Sequence, residues 1–397
     1  MTREQKTKPT LLLHVVTVPE TFTFLGPLVN YTRSRGWEVR AVSSPGEQLA
    51  ALANSLGAPV YTVEMMRQVA PGSDLKALWR LVRVMRNLRP DVVHAHTPKG
   101  GLLGTMAARL ARVPAVIYHI HGLPSLTASG SKRILLRASE KISCCLADQV
   151  LCVSCSCRDA AVQVGVCAPD KICVPANGSI CGVDAQSRFN PDRLPRELRS
   201  EVRDRLGIPG EALVVGYVGR IVRDKGIAEL VRAWELLREK YSQLHLLLVG
   251  PFEPQDPIPA AAEEVLRNDP RVHLAGLDWD TPKYYAAMDI FVLPSYREGF
   301  GLAALEAAAM ALPVVATDIP GCRDAVQSGV TGKLVEPKSV DQLTAALQAY
   351  IDDPELRYVH GQAGRARAAR DFQPEQVCEA TFREYERLLA RKRFQET

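Results

Sequence analysis

DIFVLPSYREGFGLAALEAAA, residues 289–309, is the stretch on which the fold turns. Its apolar run DIFVLP (289–294) has the length of a strand and is too short for a helix; the glycines at 299 and 301 interrupt it, and the Ala-rich segment behind them reads as a helix. A strand that hands over to a helix through a short loop is the repeating unit of a parallel sheet wrapped by helices. The same grammar recurs outward in both directions. Upstream in the second half stand ALVVGYVG (212–219), LHLLLVG (244–250) and RVHLAG (271–276), and downstream LPVVAT (312–317). The first half carries LLLHVVTV (11–18), EVRAVS (38–43), DVVHAH (91–96), AVIYHI (115–120) and QVLCV (149–153), with helical stretches between.

The expected architecture is therefore α/β, with two Rossmann-like domains of parallel sheet. The Pro-containing stretch from Phe189 to Pro195 fits neither pattern, which places a linker near 185–200. The expected domains are 1–188, 189–375 and a C-terminal segment 376–397, whose Val377, Phe382, Tyr385, Leu388 and Leu389 share one helical face that packs back toward the first domain. In such sheets ligands lie beyond the carboxyl ends of strands, so functional residues are sought just after strands, in the cleft that the linker spans.

Composition narrows the class. The chain has 397 residues, 47% hydrophobic and 23% charged, which excludes disorder. Its formal charge is only +5, too little to mark a nucleic-acid binder, but residues 1–190 carry 22 basic and 12 acidic side chains, leaving 27 and 32 for the rest. No apolar run has the roughly 18 residues of a membrane span, and the run at Leu11 is broken by His14 and lacks a small-residue cleavage site, so a cytoplasmic protein is expected. Eight of ten cysteines lie between Cys144 and Cys181. Cys152-x-x-Cys155 has half the spacing of a zinc site, and no second half follows; reduced, buried thiols are the expected state.

The chemistry sits behind two strands of the second half. After ALVVGYVG comes Gly219-Arg220-Ile-Val-Arg-Asp-Lys225-Gly226, two cations at a strand-to-helix turn, suited to neutralise a diphosphate. After DIFVLP come Glu298, Gly299, Phe300, Gly301 and Leu302, then Glu306, a second carboxylate eight residues on. If fully helical, that spacing spans roughly 12 Å, which rules out a shared-proton dyad and suits the two ends of an elongated ligand. In the first half, His121 ends a strand before Gly122, and His119 shares its face by alternation. Thr97-Pro98-Lys99 follows DVVHAH and offers a cation and amides for an acceptor phosphate.

Arg220-x4-Lys225, Glu298-x7-Glu306, Pro313-Val-Val-Ala and Pro320-Gly together resemble the retaining glycosyltransferases of family 4, and the resemblance covers nearly the whole chain. It implies the GT-B fold, two facing Rossmann-like domains with a nucleotide-sugar site on the second. It also implies roles: Arg220 and Lys225 bind the donor diphosphate, Glu306 the ribose, Glu298 and His121 the transferred sugar. Gly299, Phe300, Gly301 and Leu302 accompany them in the donor loop, while Thr97 and Lys99 are the acceptor candidates. The Thr97-Pro-Lys, Asn177-Gly-Ser and Ser295-Tyr-Arg-Glu-Gly segments look like the branch that builds bacterial capsule, exopolysaccharide and lipid-linked oligosaccharide. Two departures stand out. Ala311 occupies a position where many relatives have Gly, read as a packing change, and Val18-Pro-Glu-Thr21 replaces a Gly-Gly pair.

The expected activity is transfer of a sugar, from a UDP-sugar, to a polyprenyl-diphosphate-linked glycan with retention. No metal and no other cofactor is expected, since Arg220 and Lys225 take the place of a divalent ion. Asp278-Trp-Asp280 has metal-ligand spacing but follows an isolated strand. The rivals are an epimerase or hydrolase on the same fold, and a silent nucleotide- or membrane-binding subunit. An anionic membrane surface, on the inner face of the cell membrane, is the expected partner. Lys76, Arg80, Arg83, Arg86 and Arg89 form a basic stripe beside Leu78, Trp79, Val82 and Met85 on one helix.

Overall fold

A computed structural model describes residues 8–46, 49–66, 68 and 70–396. The chain divides into two compact units, Met1–Gly182 with Pro374–Thr397, and Val183–Gln373. The first contains seven strands: β1 (Leu11–Val15), β2 (Glu38–Ser43), β3 (Val60–Thr62), β4 (Val92–His96), β5 (Ala115–Ile120), β6 (Gln149–Cys152) and β7 (Ile172–Cys173). They pair in parallel in the order β3-β2-β1-β4-β5-β6-β7. Its helices are α1 (Phe22–Ser34), α2 (Leu49–Leu56), α3 (Pro71–Leu88), α4 (Pro98–Leu110), α5 (Gly130–Leu146) and α6 (Cys155–Gln163).

Both faces of this sheet are covered, which is why its central strands read as continuous apolar runs. Leu12 packs with Phe22, Leu25 and Val29 of α1, while Leu13, its neighbour on the opposite face, packs with Leu81, Val82 and Met85 of α3. Leu78, Val82 and Met85 are thus core. The apolar face expected beside the basic stripe of α3 is spent on the sheet, leaving Trp79 and Leu75 exposed there. Short edge strands β3 and β7 escape the sequence pattern because two or three residues define no period.

The second unit repeats the architecture with β8 (Leu213–Val218), β9 (Leu244–Val249), β10 (Val272–Gly276), β11 (Ile290–Leu293), β12 (Val314–Thr317) and β13 (Gly332–Val335), ordered β10-β9-β8-β11-β12-β13 and parallel. Around them run α7 (Leu198–Leu206), α8 (Ile227–Lys240), α9 (Ala260–Asn268), α10 (Pro282–Ala287), α11 (Leu302–Ala309), α12 (Cys322–Ala325), α13 (Val340–Asp352) and α14 (Pro354–Asp371). The strand order reverses between β8 and β11, so the carboxyl ends of these two strands form the topological switch point.

A shared device starts the strands. A carboxylate just before one strand accepts the amide of its neighbour: Asp91 from Leu11, Asp148 from Val116 and Asp289 from Val214, at 2.7, 2.8 and 2.8 Å. Asp289 is further clamped by buried Arg203 at 2.9 Å, whose remaining donors reach the carbonyls of Gly210, Ala212 and Ala287.

The division falls between Gly182 and Val183, earlier than the expected 188/189, because the intervening residues are tied to the second unit. The Val183 amide donates to the Phe372 carbonyl at 2.8 Å, and Phe189 packs edge-on against Tyr285. Arg365 holds Asn190 and Asp192 at 2.8 and 2.6 Å, so the Pro-containing stretch is anchored along its length. The last helix, α15 (Pro374–Glu396), belongs to the first unit, where Cys378, Phe382, Tyr385 and Leu388 join the core on the α1 side. Ala311, expected to be a packing substitution, instead sits at φ 62° just after α11, a left-handed position that Gly adopts without cost. Pro19–Thr21, in place of the Gly-Gly pair, forms a single 3-10 turn ahead of α1.

Candidate active site

At the end of β8 the chain turns through Gly219 and Arg220 into a 3-10 turn, Arg223–Lys225, and then into α8. Gly226 is required between them. Its φ is 67°, and a Cβ there would lie 2.0 Å from the carbonyl oxygen of Pro294, so the turn rests directly on the end of β11. That contact delivers Lys225 to the neighbouring loop, where its Nζ lies 2.5 Å from Glu298 Oε1, and the same oxygen accepts from Ser295 Oγ at 2.7 Å. Both side chains of this ion pair are largely enclosed, at 18% and 14% exposure. Arg220 points elsewhere, to Glu253 Oε2 at 2.7 Å, and stays half open at 47%.

The loop after β11 ends at Gly301, φ 78°, which opens α11. A second glycine fixes its shape: a Cβ on Gly321 would fall 2.7 Å from the carbonyl carbon and oxygen of Gly299, so two loops meet backbone to backbone. Phe300 is buried edge-on against Phe372, and Leu302 begins the helix. Because α11 covers only 302–309, the spacing of Glu298 and Glu306 is part loop, part helix, and the fully helical separation does not apply. Glu306 Oε2 accepts from Tyr285 Oη at 2.8 Å. Burial pushes its pKa up to about 7, against the opposing pull of the Tyr285 hydroxyl and the Arg188 charge.

The structure thus brings Lys225 and Glu298 into contact and gives Arg220 and Glu306 separate partners. Glu253 and Tyr285 were not singled out from sequence. They lie 33 and 21 residues from the groups they hold, in segments with no motif of their own.

In the first unit, Thr97 takes φ 66° between β4 and α4, and its hydroxyl bonds that of Thr17 at 2.6 Å. Thr17 also accepts the Gly100 amide at 2.9 Å, capping the amino end of α4. Lys99 is already paired: its Nζ lies 2.7 and 2.8 Å from the two oxygens of Asp74 and 2.5 Å from the Gln68 carbonyl. A phosphate at this helix end would have to share that cation. Asp278 and Asp280 likewise have a cation from the chain itself, Lys283 at 2.7 and 3.4 Å. All ten cysteines are free thiols.

His121 lies half-buried just past β5, its Nε2 2.9 Å from His96 Nδ1. His96 Nε2 in turn lies 2.9 Å from His14 Nδ1. With His94 and His119 they make five imidazoles on one sheet face, because His94 pairs with His14 and His96 with His119 in register, and alternate residues share a face. The sequence carried the signal in the H-x-H spacings at 94–96 and 119–121. Burial holds all five below the ordinary imidazole range, His14 to about 3 and His121 to about 4, so their rings are neutral at pH 7.

No helix among the described residues is long and apolar enough to cross a membrane. Among the described helices, α5 leaves several apolar side chains open. Ile134, Leu135 and Ile142 are exposed, with Leu126 just before it, and Lys132, Arg133 and Lys141 are exposed among them.

The chain matches known proteins along most of its length. Residues 199–367 match the family described as glycosyl transferases group 1, and residues 23–178 the glycosyl transferase 4-like domain. The chain is 31% identical over 369 residues to the capsular polysaccharide biosynthesis glycosyltransferase CapM of Staphylococcus aureus, with 93% of this chain and 94% of that protein covered. It is 26% identical over 374 residues to the N,N'-diacetylbacillosaminyl-diphospho-undecaprenol alpha-1,3-N-acetylgalactosaminyltransferase of Campylobacter jejuni, covering 93% and 96%. Among solved structures, Anabaena HepE in complex with UDP and glucose matches with a TM-score of 0.79 at 21% identity, covering 95% and 99%. The two parallel-sheet units make the fold GT-B.

Proposed function

This chain belongs to the group 1 glycosyl transferases, of the capsule and lipid-linked polysaccharide type, and we propose that it moves a sugar from a UDP-sugar to a polyprenyl-diphosphate-linked glycan with retention at the anomeric carbon. The observation that carries this reading is the Lys225–Glu298 pair at the switch point of the second unit, beside the amino end of α11. An ammonium has three N–H donors, so Lys225 keeps Glu298 and still has donors for a diphosphate; Arg220, with one contact to Glu253, has most of its five left. Glu306 receives the ribose hydroxyls in exchange for its Tyr285 contact. Glu298, fixed by Lys225 and Ser295, receives the hydroxyls of the transferred sugar.

Transfer then proceeds on one face. The acceptor hydroxyl oxygen bonds to the anomeric carbon as the bond from that carbon to the diphosphate oxygen breaks, and the hydroxyl proton passes to the departing phosphate. Lys225 and Arg220 stabilise the charge that develops there, which is the work a divalent ion would otherwise do at the donor. The acceptor phosphate is assigned to the amino end of α4, with Thr97 and Lys99.

Lipid-linked acceptors place the reaction at a membrane, and the exposed α5 face, with Lys132, Arg133 and Lys141 around Ile134 and Leu135, is the surface assigned to an anionic inner leaflet. A panel of UDP- and GDP-sugars, each with and without undecaprenyl-diphosphate-linked sugar, tests the activity. Nucleoside diphosphate is expected from one UDP-sugar and only with the acceptor present. Equal release without acceptor would make the protein a hydrolase, and conversion of the sugar itself an epimerase.

A further inference from the structure

The histidine cluster of the first unit is unlike the rest of the core. Five of the chain's eight histidines lie on one face of β1, β4 and β5 or just past it, with no carboxylate among their ring contacts. His119 is buried and neither ring nitrogen has a hydrogen-bond partner. A neutral imidazole always carries one N–H and one lone pair, so leaving both unmet is costly for a packed interior. His94 meets Tyr385 with one nitrogen and leaves the other unmet.

We propose that His96, His119 and His121 form a binding site for a transition-metal ion of the zinc class. One ring nitrogen from each lies within 4.8 Å of the others, and His96 Nδ1 and His121 Nε2 are 2.9 Å apart. A tetrahedral ion with nitrogens at about 2.0–2.1 Å separates them by roughly 3.3 Å, so the pair opens by a few tenths of an ångström and the His119 ring turns in. The ion occupies the unmet capacity of His119.

His14 completes the arrangement. With Nδ1 on the ion, His96 carries its proton on Nε2 and donates it to His14 Nδ1 at 2.9 Å, and so His14 fixes the orientation of the ligand ring, the role that outer partners play at histidine metal sites. Three imidazoles and no carboxylate select borderline ions such as Zn²⁺, Co²⁺ or Ni²⁺ over Mg²⁺ or Mn²⁺, so this site is chemically distinct from a nucleotide-bound magnesium. His121, half-buried where His96 and His119 are enclosed, marks the side from which the ion enters and the position left for a fourth ligand.

The full chain, stripped with a strong chelator, is titrated with Zn²⁺ against a chromophoric competitor, and its Co²⁺ form is examined by absorption. One equivalent is expected, with tetrahedral Co²⁺ bands and no thiolate charge-transfer band. His119→Phe and His121→Asn should each weaken binding at least ~100-fold, while His245→Asn, in the other histidine pair 2.9 Å from His273, leaves it unchanged. No bound equivalent, a thiolate band pointing to the cysteines, or weak multiple binding that both variants retain would overturn the site. The cobalt spectrum uses the unaltered chain, so a variant that fails to fold does not remove the test.

Discussion

Glu306 carries a titration that the donor reading turns into a measurement. Its folded-state pKa is raised to about 7, above the usual carboxylate range, because burial disfavours the charged form. Stability from its protonated form is therefore fully present below the unfolded pKa and is lost as pH rises through about 7. Ribose binding needs the carboxylate, so UDP affinity should rise between pH 6 and 8, and Glu306→Gln should flatten that rise; a profile unchanged in the variant would remove Glu306 from the donor site. Tyr285 and Arg188 are the groups that face it, and burial holds the Tyr285 hydroxyl well above this window. For Lys225→Ala, loss of a charge-assisted contact to a developing anion costs on the order of 3 kcal/mol, about a hundredfold in turnover. Retention of half the wild-type rate would place the diphosphate elsewhere. At this scale the motif residues were legible because their types and spacing are local to one strand end. Their partners Glu253 and Tyr285 were not, since only the folded chain brings them near.

Gly226 shows what an element demands of one residue. Its left-handed φ and the 2.0 Å approach of a Cβ to the Pro294 carbonyl predict that Gly226→Ala destabilises the chain by more than about 2 kcal/mol in denaturant unfolding. A loss under about 0.5 kcal/mol would mean that the turn does not rest on β11 as described. The long strands were readable because both sheet faces are covered and each core strand is an apolar run. The edge strands β3 and β7 were not, being three and two residues long, nor was β13, whose middle residues Lys333 and Leu334 are only half-buried. Helix periodicity marked an apolar face on α3 but not what covers it. The core takes Leu78, Val82 and Met85 and leaves only Leu75 and Trp79 of α3 open, whereas α5 exposes Ile134, Leu135 and Ile142. Sedimentation with vesicles should accordingly show binding to anionic lipid that fades with salt, lost in an Ile134→Glu/Leu135→Glu double variant whose UDP affinity is unchanged. Binding that persists in that variant would move the docking face away from α5.

Over the whole chain, charge and chemistry divide along the same line. Residues 1–190 hold 22 basic against 12 acidic side chains, and this half contains the α5 face and the histidine cluster; the diphosphate-binding candidates lie in the acidic half. The two-domain α/β plan could be read from the restart of the strand pattern at residue 212, and the apolar face of the last helix pointed to the first unit, where Phe382, Tyr385 and Leu388 pack. The central claim is that side-chain cations of the second unit, Lys225 foremost, hold the diphosphate of a nucleotide-sugar donor. Calorimetric titration of the wild-type chain and Lys225→Ala with UDP in the presence of EDTA tests it most directly. The account predicts wild-type binding that EDTA leaves unchanged and at least tenfold weaker binding by the variant. UDP binding that EDTA abolishes and Mg²⁺ restores, or equal affinity in the two proteins, would contradict it.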